Sequence, residues 1–316
     1  MNIIANRIRM AVGVFFLLLF TACGGGDGSQ NTDTPTSGRT KVSIDDSYRL
    51  LLDAEVYMFE ALYTRAKIDT LYKCEADVFN DFMRDSVQLI VVSRKLTDDQ
   101  DKYLRDRQYI PKTTKLAIDA VAFIVNRENP DTSLNFDNIR EVFTGKITAW
   151  KQINPKTKLK DIKVVFDNYK SSNPRYFREK FSIDSLPATC FAVNNNAEVI
   201  NFVERNPGAI GVISVNWISD KQDTVSNNFL NRVKVVGVSN EGDTGPGARF
   251  YRPYQAYIAD GSYPFTRDVY CINRQPYHGL AYGFSAFIAG EKGQLIVLRS
   301  GMVPAAMPVR IVEIKH

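Results

Sequence analysis

Histidine is nearly missing from this chain. Two occur in 316 residues, His278 and His316, and the second is the last residue. A hydrolase built on a histidine base, or a His-rich metal site, would have to rest on His278 alone, so acid–base chemistry would fall to carboxylates. Cysteine is scarce as well. The four present are Cys23, Cys74, Cys190 and Cys271, and their spacing matches no zinc motif. With Cys23 set aside, the odd number left allows at most one internal disulfide, and buried free thiols are the expected state. Excess charge is missing too. The formal charge of +5 falls to near +3 once Arg7 and Arg9 leave with the leader, because residues 1–22 contain no Asp or Glu. So mild a balance gives no ground for nucleic-acid binding. Beyond the leader, no apolar run is long enough to cross a bilayer. Nothing in these residues calls for a metal or a cofactor.

The first 22 residues are those of an export signal. "MNIIANRIRM" carries Arg7 and Arg9, and "AVGVFFLLLF" follows as a short apolar core. The stretch closes on "LFTACGGG", where Thr21-Ala22-Cys23 resembles a bacterial lipobox with Phe20 in place of the usual Leu. Cys23 is therefore the expected lipidation site. The run "GGGDGSQNTDTPTSG" lacks large apolar residues and reads as a flexible tether over 23–40.

From residue 41 onward, strand-like and helix-like segments alternate. "TKVSI" precedes a helical stretch in which Leu51, Ala54, Met58, Ala61 and Leu62 share a face. "KIDTLY" reads as a strand, "EADVFNDFMRD" as a helix and "VQLIVVSR" as a buried strand. Thr97 and Gln100 have the spacing of a capping box. "LAIDAVAFIVN" is an apolar strand, and "FDNIREVFTG" a helix stopped by Gly145. Further βα pairs follow in "DIKVVF" with "PRYFREKF" and in "ATCFAV" with "NAEVINFVERNPG". "AIGVISV", "NRVKVVGVS" and "RDVYCINR" read as strands, and "AYGFSAFIAGEKGQLIVLRSG" as helical. Such alternation implies α/β architecture with mainly parallel sheets covered on both faces, which bind ligands beyond the carboxyl ends of their strands.

Three strand-to-helix turns carry the candidate site. The first holds Asp46 and Ser47, the second Ser93 and Arg94. The third, "FDNYKSSNPRYF", holds Asp167, Lys170, Ser171, Ser172 and Asn173. In the third, Asn173 reads as the N-cap and Pro174 as the first helical residue. The free N–H groups of that helix, with Lys170 or Arg175 nearby, form an anion cradle. A solvated loop with an ordinary cap explains any one of these turns equally well.

The chain resembles the periplasmic phosphate-binding proteins of ABC importers, a type II solute-binding family. The stretches that carry the resemblance are "FDNIREVFTGKITAWKQINP", "VINFVERNPGAIGVISVNWI", "GSYPFTRDVYCI" and "GFSAFIAGEKGQLIVLRSGMVP", spread over the whole mature chain. The phrase with Phe143, Gly145, Lys146, Ile147 and Trp150 reads as a structural helix-and-turn signature. The family's ligand motif is a Ser-Gly-Thr turn before a Phe-containing helix. Here Ser171-Ser172-Asn173 stands in that place, with Phe177 at the matching spacing. A basic residue four positions before the first Ser is replaced by Asp167, and an acceptor Asp after a strand-end Ser is replaced by Arg94. These departures leave the fold intact and the identity of the anion open.

The resemblance implies a two-lobed fold with a ligand cleft between the lobes. Lobe one is expected at 41–121 plus 245–316 and lobe two at 122–244, with two crossings that act as a hinge. It implies an extracytoplasmic, lipid-anchored protein that captures inorganic phosphate or a related oxyanion for an ABC permease and its ATPase. Phosphate always retains a proton at neutral pH and sulfate does not. A pocket carboxylate is therefore expected to accept that proton, Asp46 before Asp167. A sensor or surface lipoprotein with a degenerate pocket is the alternative on the same fold, and a phosphoester hydrolase is a more distant one.

Overall fold

The computed structural model describes residues 33–219 and 228–306. The stretch read as an export signal, Cys23 and the first part of the expected tether lie outside these residues. Strand β1 (Ser37–Asp45) pairs in parallel with β2 (Arg65–Lys73) and β3 (Leu89–Val92). Because β1 starts at Ser37, the last residues assigned to the tether belong to the sheet. They are held there by Asp33, which accepts hydrogen bonds from Leu280 N–H at 2.6 Å and Tyr277 Oη at 2.7 Å. Between these strands run α1 (Arg49–Leu62) and α2 (Glu75–Met83), and α3 (Asp98–Asp106) follows β3. The capping box read from Thr97 and Gln100 closes α3 in both directions.

The organising element is β4 (Lys112–Asn126), a strand of 15 residues buried almost without interruption from Leu116 onward. Its first half pairs antiparallel with β11 (Thr266–Asn273) and β12 (Val303–Pro304). Its second half pairs antiparallel with β8 (Ala209–Ser214) and β9 (Val233–Val235). Beyond β8 lie β6 (Lys163–Phe166) and β7 (Cys190–Ala192), both parallel. The curled sheet thus runs β2-β1-β3-β11-β4-β8-β6-β7. β5 (Ser133–Leu134) and β10 (Gly237–Val238) form a small separate pair. The expected parallel sheets occur as β2-β1-β3 and β8-β6-β7, and the strands that join them run antiparallel. Apolar alternation carries no sign of strand direction, so this mixture was not visible in the sequence.

Helices α4 (Phe136–Phe143), α5 (Ser172–Lys180), α6 (Asn196–Arg205) and the short α7 (Asn216–Ser219) attach to the β6-β7-β8 side. The short α8 (Gln255–Ala259), α9 (Leu280–Ala289) and α10 (Glu291–Arg299) complete the other. The stretch "AYGFSAFIAGEKGQLIVLRSG", read as helical, forms two helices that meet at Gly290, the last cap of α9 and the first of α10. Gly145 ends α4 with φ of 78°, a left-handed position that suits glycine. The Trp150 indole donates to Gly208 carbonyl at 2.9 Å from a fully buried position. The phrase around Trp150 is thus part of the packing.

A cluster of phenylalanines fixes α5. Phe177 stacks on Phe143 with centroids 4.1 Å apart and packs near Phe123, Phe166 and Phe265. These rings come from α4, α5, β4, β6 and the approach to β11. They hold the first turn of α5 in one place relative to the sheet, as a packed aromatic cluster does. The cysteines Cys74, Cys190 and Cys271 are free thiols, the last two buried. Among the described residues, no helix is long and apolar enough to cross a membrane. Glu55 of α1 is fully buried, and burial pushes its carboxyl up to about 9, so it is neutral at ordinary pH.

Candidate functional site

Helix α5 begins at Ser172, two residues before the start expected at Pro174. Ser171 is its N-cap, Ser172 and Asn173 are its first two residues, and Pro174 is the third. The first-turn N–H groups of such a helix have no partner inside it. Pro174 supplies no N–H, so the open donors belong to Ser172 and Asn173. Both are fully buried. Ser171 Oγ and Asn173 Nδ2 donate to Asp167 Oδ1 at 2.7 and 3.0 Å. Asp167 therefore braces the turn from below. Its own carboxyl is raised to about 6 by burial, against the pull of those two donors.

Across from this turn stands the end of β1. Asp45 caps the 3-10 turn Asp46–Tyr48 by accepting from Ser47 N–H at 3.0 Å. The Ser47 hydroxyl lies 3.3 Å from the Ser172 hydroxyl, so the two turns touch. Ser47 carbonyl accepts from Asn216 Nδ2 at 2.7 Å and Trp217 Nε1 at 3.0 Å. Burial raises the Asp45 carboxyl to about 7, helped by Glu75 and Asp167 nearby, and among the described residues one of its oxygens is buried without a partner. Asp46, its neighbour, is committed elsewhere. Its Oδ1 binds Arg49 at 2.7 to 2.8 Å, and its Oδ2 accepts from Asn196 N–H and Nδ2 at the start of α6. Of the two adjacent aspartates, Asp45 faces the site and Asp46 clasps α6.

A guanidinium that the sequence did not single out lies between the turns. Arg267 of β11 donates from Nε to Asp119 Oδ2 at 3.0 Å and from Nη1 to Ser172 Oγ at 3.1 Å. Asp119 stands where β4 passes from β11 to β8, and it also accepts from Ser214 Oγ at 2.7 Å. Burial works against the Arg267 charge, but the oxygens of Tyr48, Asp119 and Asp45 outweigh it and hold the group charged. Among the described residues its Nη2 is buried with no partner, as are Tyr48 Oη and Tyr176 Oη. Three buried donors left open around one helix N-terminus mark a place for an acceptor. The indication available in the sequence was the lone Asp119 inside an apolar strand, which needs a buried partner.

On the outer side a second guanidinium reaches in. Arg175, one turn into α5, donates to both oxygens of Glu75, at 2.5 Å from Nε and 3.1 Å from Nη2, and to Ser93 Oγ at 2.7 Å. Burial pushes Glu75 up, but Arg175 and the Ser93 donors outweigh it and hold the carboxyl below its usual range. Arg175 and Arg267 are near enough for each to disfavour the other's charge. Arg94 is turned outward. It stacks on Phe79 at 3.6 Å and donates to Lys95 carbonyl and Gln100. Lys170 is exposed, and its carbonyl accepts from Ala76 N–H at 3.2 Å. Arg94, Lys170, Arg175 and Arg178 line a cavity of about 350 Å³ with Glu75, at the mouth of the site.

The sequence pattern of the PBP superfamily domain matches residues 28–292. The chain is 25% identical over 283 residues to the phosphate-binding protein PstS of Staphylococcus aureus, covering 88% of this chain and 81% of that one. It is 26% identical over 223 residues to PstS of Staphylococcus saprophyticus, covering 68% of this chain and 65% of that one. Its fold is similar to that of a phosphate ABC transporter substrate-binding protein of Clostridium perfringens solved with bound phosphate. There the TM-score is 0.71 at 21% identity, over 85% of this chain and all of that one. An ABC-type phosphate transport receptor from Vibrio cholerae has a TM-score of 0.62 at 19% identity, covering 84% of this chain and 100% of its own. The matched pattern takes in well over half of the residues, and with it the two-lobed fold, so this chain belongs to the PBP superfamily.

Proposed function

We propose that this protein is an extracytoplasmic solute-binding protein that captures inorganic phosphate, or a related oxyanion, for an ABC importer. The observation that carries the reading is the N-terminus of α5 with the buried, partly unpartnered Arg267 guanidinium against Ser172. Open N–H donors, a helix dipole and a fixed positive charge together favour an anion there. The names of the relatives support phosphate as that anion. The lobes would be 41–121 plus 245–316 and 122–244. The pairing change of β4 near Ala120 and Val121 supports a hinge there, since those residues lie where the strand leaves β11 for β8.

Titration calorimetry with phosphate and sulfate tests this reading. A single saturable phosphate site is expected, and Ser172→Ala should weaken it. Loss of a hydrogen bond to a charged group costs roughly 1.5–3 kcal/mol, or about 10- to 100-fold in affinity. Ser171→Ala acts through Asp167 and should have a smaller effect. If the serines are only caps, the melting temperature should fall while affinity stays unchanged.

Anchoring belongs to the same proposal. Cys23 would carry the lipid, holding the protein at the membrane on the periplasmic side or at the cell surface, with the permease and ATPase as partners. Cys23→Ser should then move the protein from the membrane fraction to the soluble one, because stable anchoring needs more than one acyl chain or equivalent signal. Equal membrane retention of the mutant would remove this part of the proposal. A sensor or surface binding protein on the same fold is the second reading, favoured by the acidic groups Asp45, Glu75 and Asp167 around the site. It predicts anion binding without coupling to a transporter.

A further inference from the structure

We propose that Glu75 is a built-in competitor for the oxyanion, one that latches the site shut and must leave Arg175 before a solute anion can bind. The proposal rests on the phosphate-binding reading above and adds how that site is controlled.

The Glu75 carboxylate is held as a bound oxyanion would be. Oε1 accepts from Ser93 N–H at 3.0 Å, Ser93 Oγ at 2.8 Å and Arg175 Nη2 at 3.1 Å, and Oε2 accepts from Arg175 Nε at 2.5 Å. A backbone amide, a hydroxyl and a two-pronged guanidinium form a donor set suited to carboxylate and phosphate alike. The side chain is 3% exposed, and Arg175 is 17% exposed. The pair also joins the two sides of the sheet. Glu75 opens α2 and Ser93 directly follows β3, both beside β1, whereas Arg175 belongs to α5 beyond β6. Ala76 N–H to Lys170 carbonyl and Ser47 to Ser172 close the same seam. The two serine hydroxyls touch, so an anion reaches the first turn of α5 only when the seam parts.

Charge at the mouth suits this exchange. Among the described residues, Arg94, Lys170 and Arg178 make no ion pair, and Glu75 is the one acid lining that cavity. When Glu75 turns away, the cavity holds four cationic side chains and Ser93 offers its two donors. A latch that keeps most molecules shut lowers apparent affinity by the fraction able to bind.

Glu75→Gln and Arg175→Gln in the full chain separate this from a purely structural role. Phosphate titration should show affinity rising about 10-fold or more in Glu75→Gln, as the competent fraction grows, and falling in Arg175→Gln. A structural pair would move both affinities in the same direction. Hydrogen exchange without phosphate should speed up over residues 75–79 and 170–178 in both variants, and phosphate should restore protection in Glu75→Gln alone. Phosphate binding by the wild type with equal or weaker binding by Glu75→Gln overturns the competitor while leaving the phosphate reading in place. No heat in any of the three chains overturns both. Unchanged exchange in the two variants overturns the latch whatever the titrations give.

Discussion

Arg267→Ala should abolish measurable phosphate binding and lower stability by about 3–5 kcal/mol, the cost of leaving a buried charge without its partner. The uncompensated group would be Asp119, fully buried where β4 changes neighbours. For a chain of this size that loss lowers the melting temperature by roughly 10 °C. The two effects have different origins and separate in a double substitution. Arg267→Met with Asp119→Asn removes both charges and keeps the volume, so stability should return most of the way. Phosphate binding should not return, because the guanidinium over Ser172 is still missing. Recovery of both would show that Arg267 acts on binding only through folding. Full stability in Arg267→Ala would contradict the buried pairing itself.

Asp45→Asn should narrow the preference for phosphate over sulfate by about 10-fold at pH 8, through loss of one acceptor for the proton that phosphate retains. The earlier expectation favoured Asp46 for this part. Asp46 has both oxygens engaged by Arg49 and Asn196, while Asp45 keeps a buried oxygen without a partner among the described residues. The Asp45 carboxyl is raised to about 7 by burial. Above that pH it is an acceptor that repels sulfate; below it, it is a donor to either anion. The wild-type preference should therefore shrink as pH falls from about 8 to about 5.5, and the substitution should add little at the lower end. Stability follows the same group. A folded value above the unfolded one contributes stability that is complete below the usual carboxylate range and is lost as pH rises through about 7. Asp45→Asn should flatten that decline in a melt series. Asp167, raised to about 6, is the second acceptor, and Asp167→Asn should act in the same sense but less, since Ser171 and Asn173 already occupy one of its oxygens.

Local structure was readable wherever it depends on neighbours in the chain. The capping box at Thr97 and Gln100, the stop at Gly145 and the apolar run of β4 each follow from short-range rules. So did the family resemblance, since its phrases lie in order along the chain. Direction of pairing was not readable, because the continuous apolar run of β4 looks like that of a parallel strand although its pairings are antiparallel. The site was half readable. Ser47, Ser171, Ser172 and Asn173 were marked by their turns, and the structure brings them together. Arg267 was missed because its partners Asp119 and Ser172 lie 148 and 95 positions away. The choice between Arg94 and Arg175, or between Asp45 and Asp46, depends on which way a side chain leaves its strand or helix. Stacking on Phe79 takes Arg94 out, and the helical turn after Ser172 brings Arg175 in.

The structure of the protein with phosphate at saturating concentration tests the central claim most directly. The account predicts one phosphate at the first turn of α5, within hydrogen-bond distance (about 3 Å) of Ser172 and of Arg267 Nη2, with Glu75 turned away from Arg175 and the hydroxyls of Ser47 and Ser172 moved apart. A structure at the same concentration with those two contacts unchanged and no anion between Arg267 and Arg175 would contradict it.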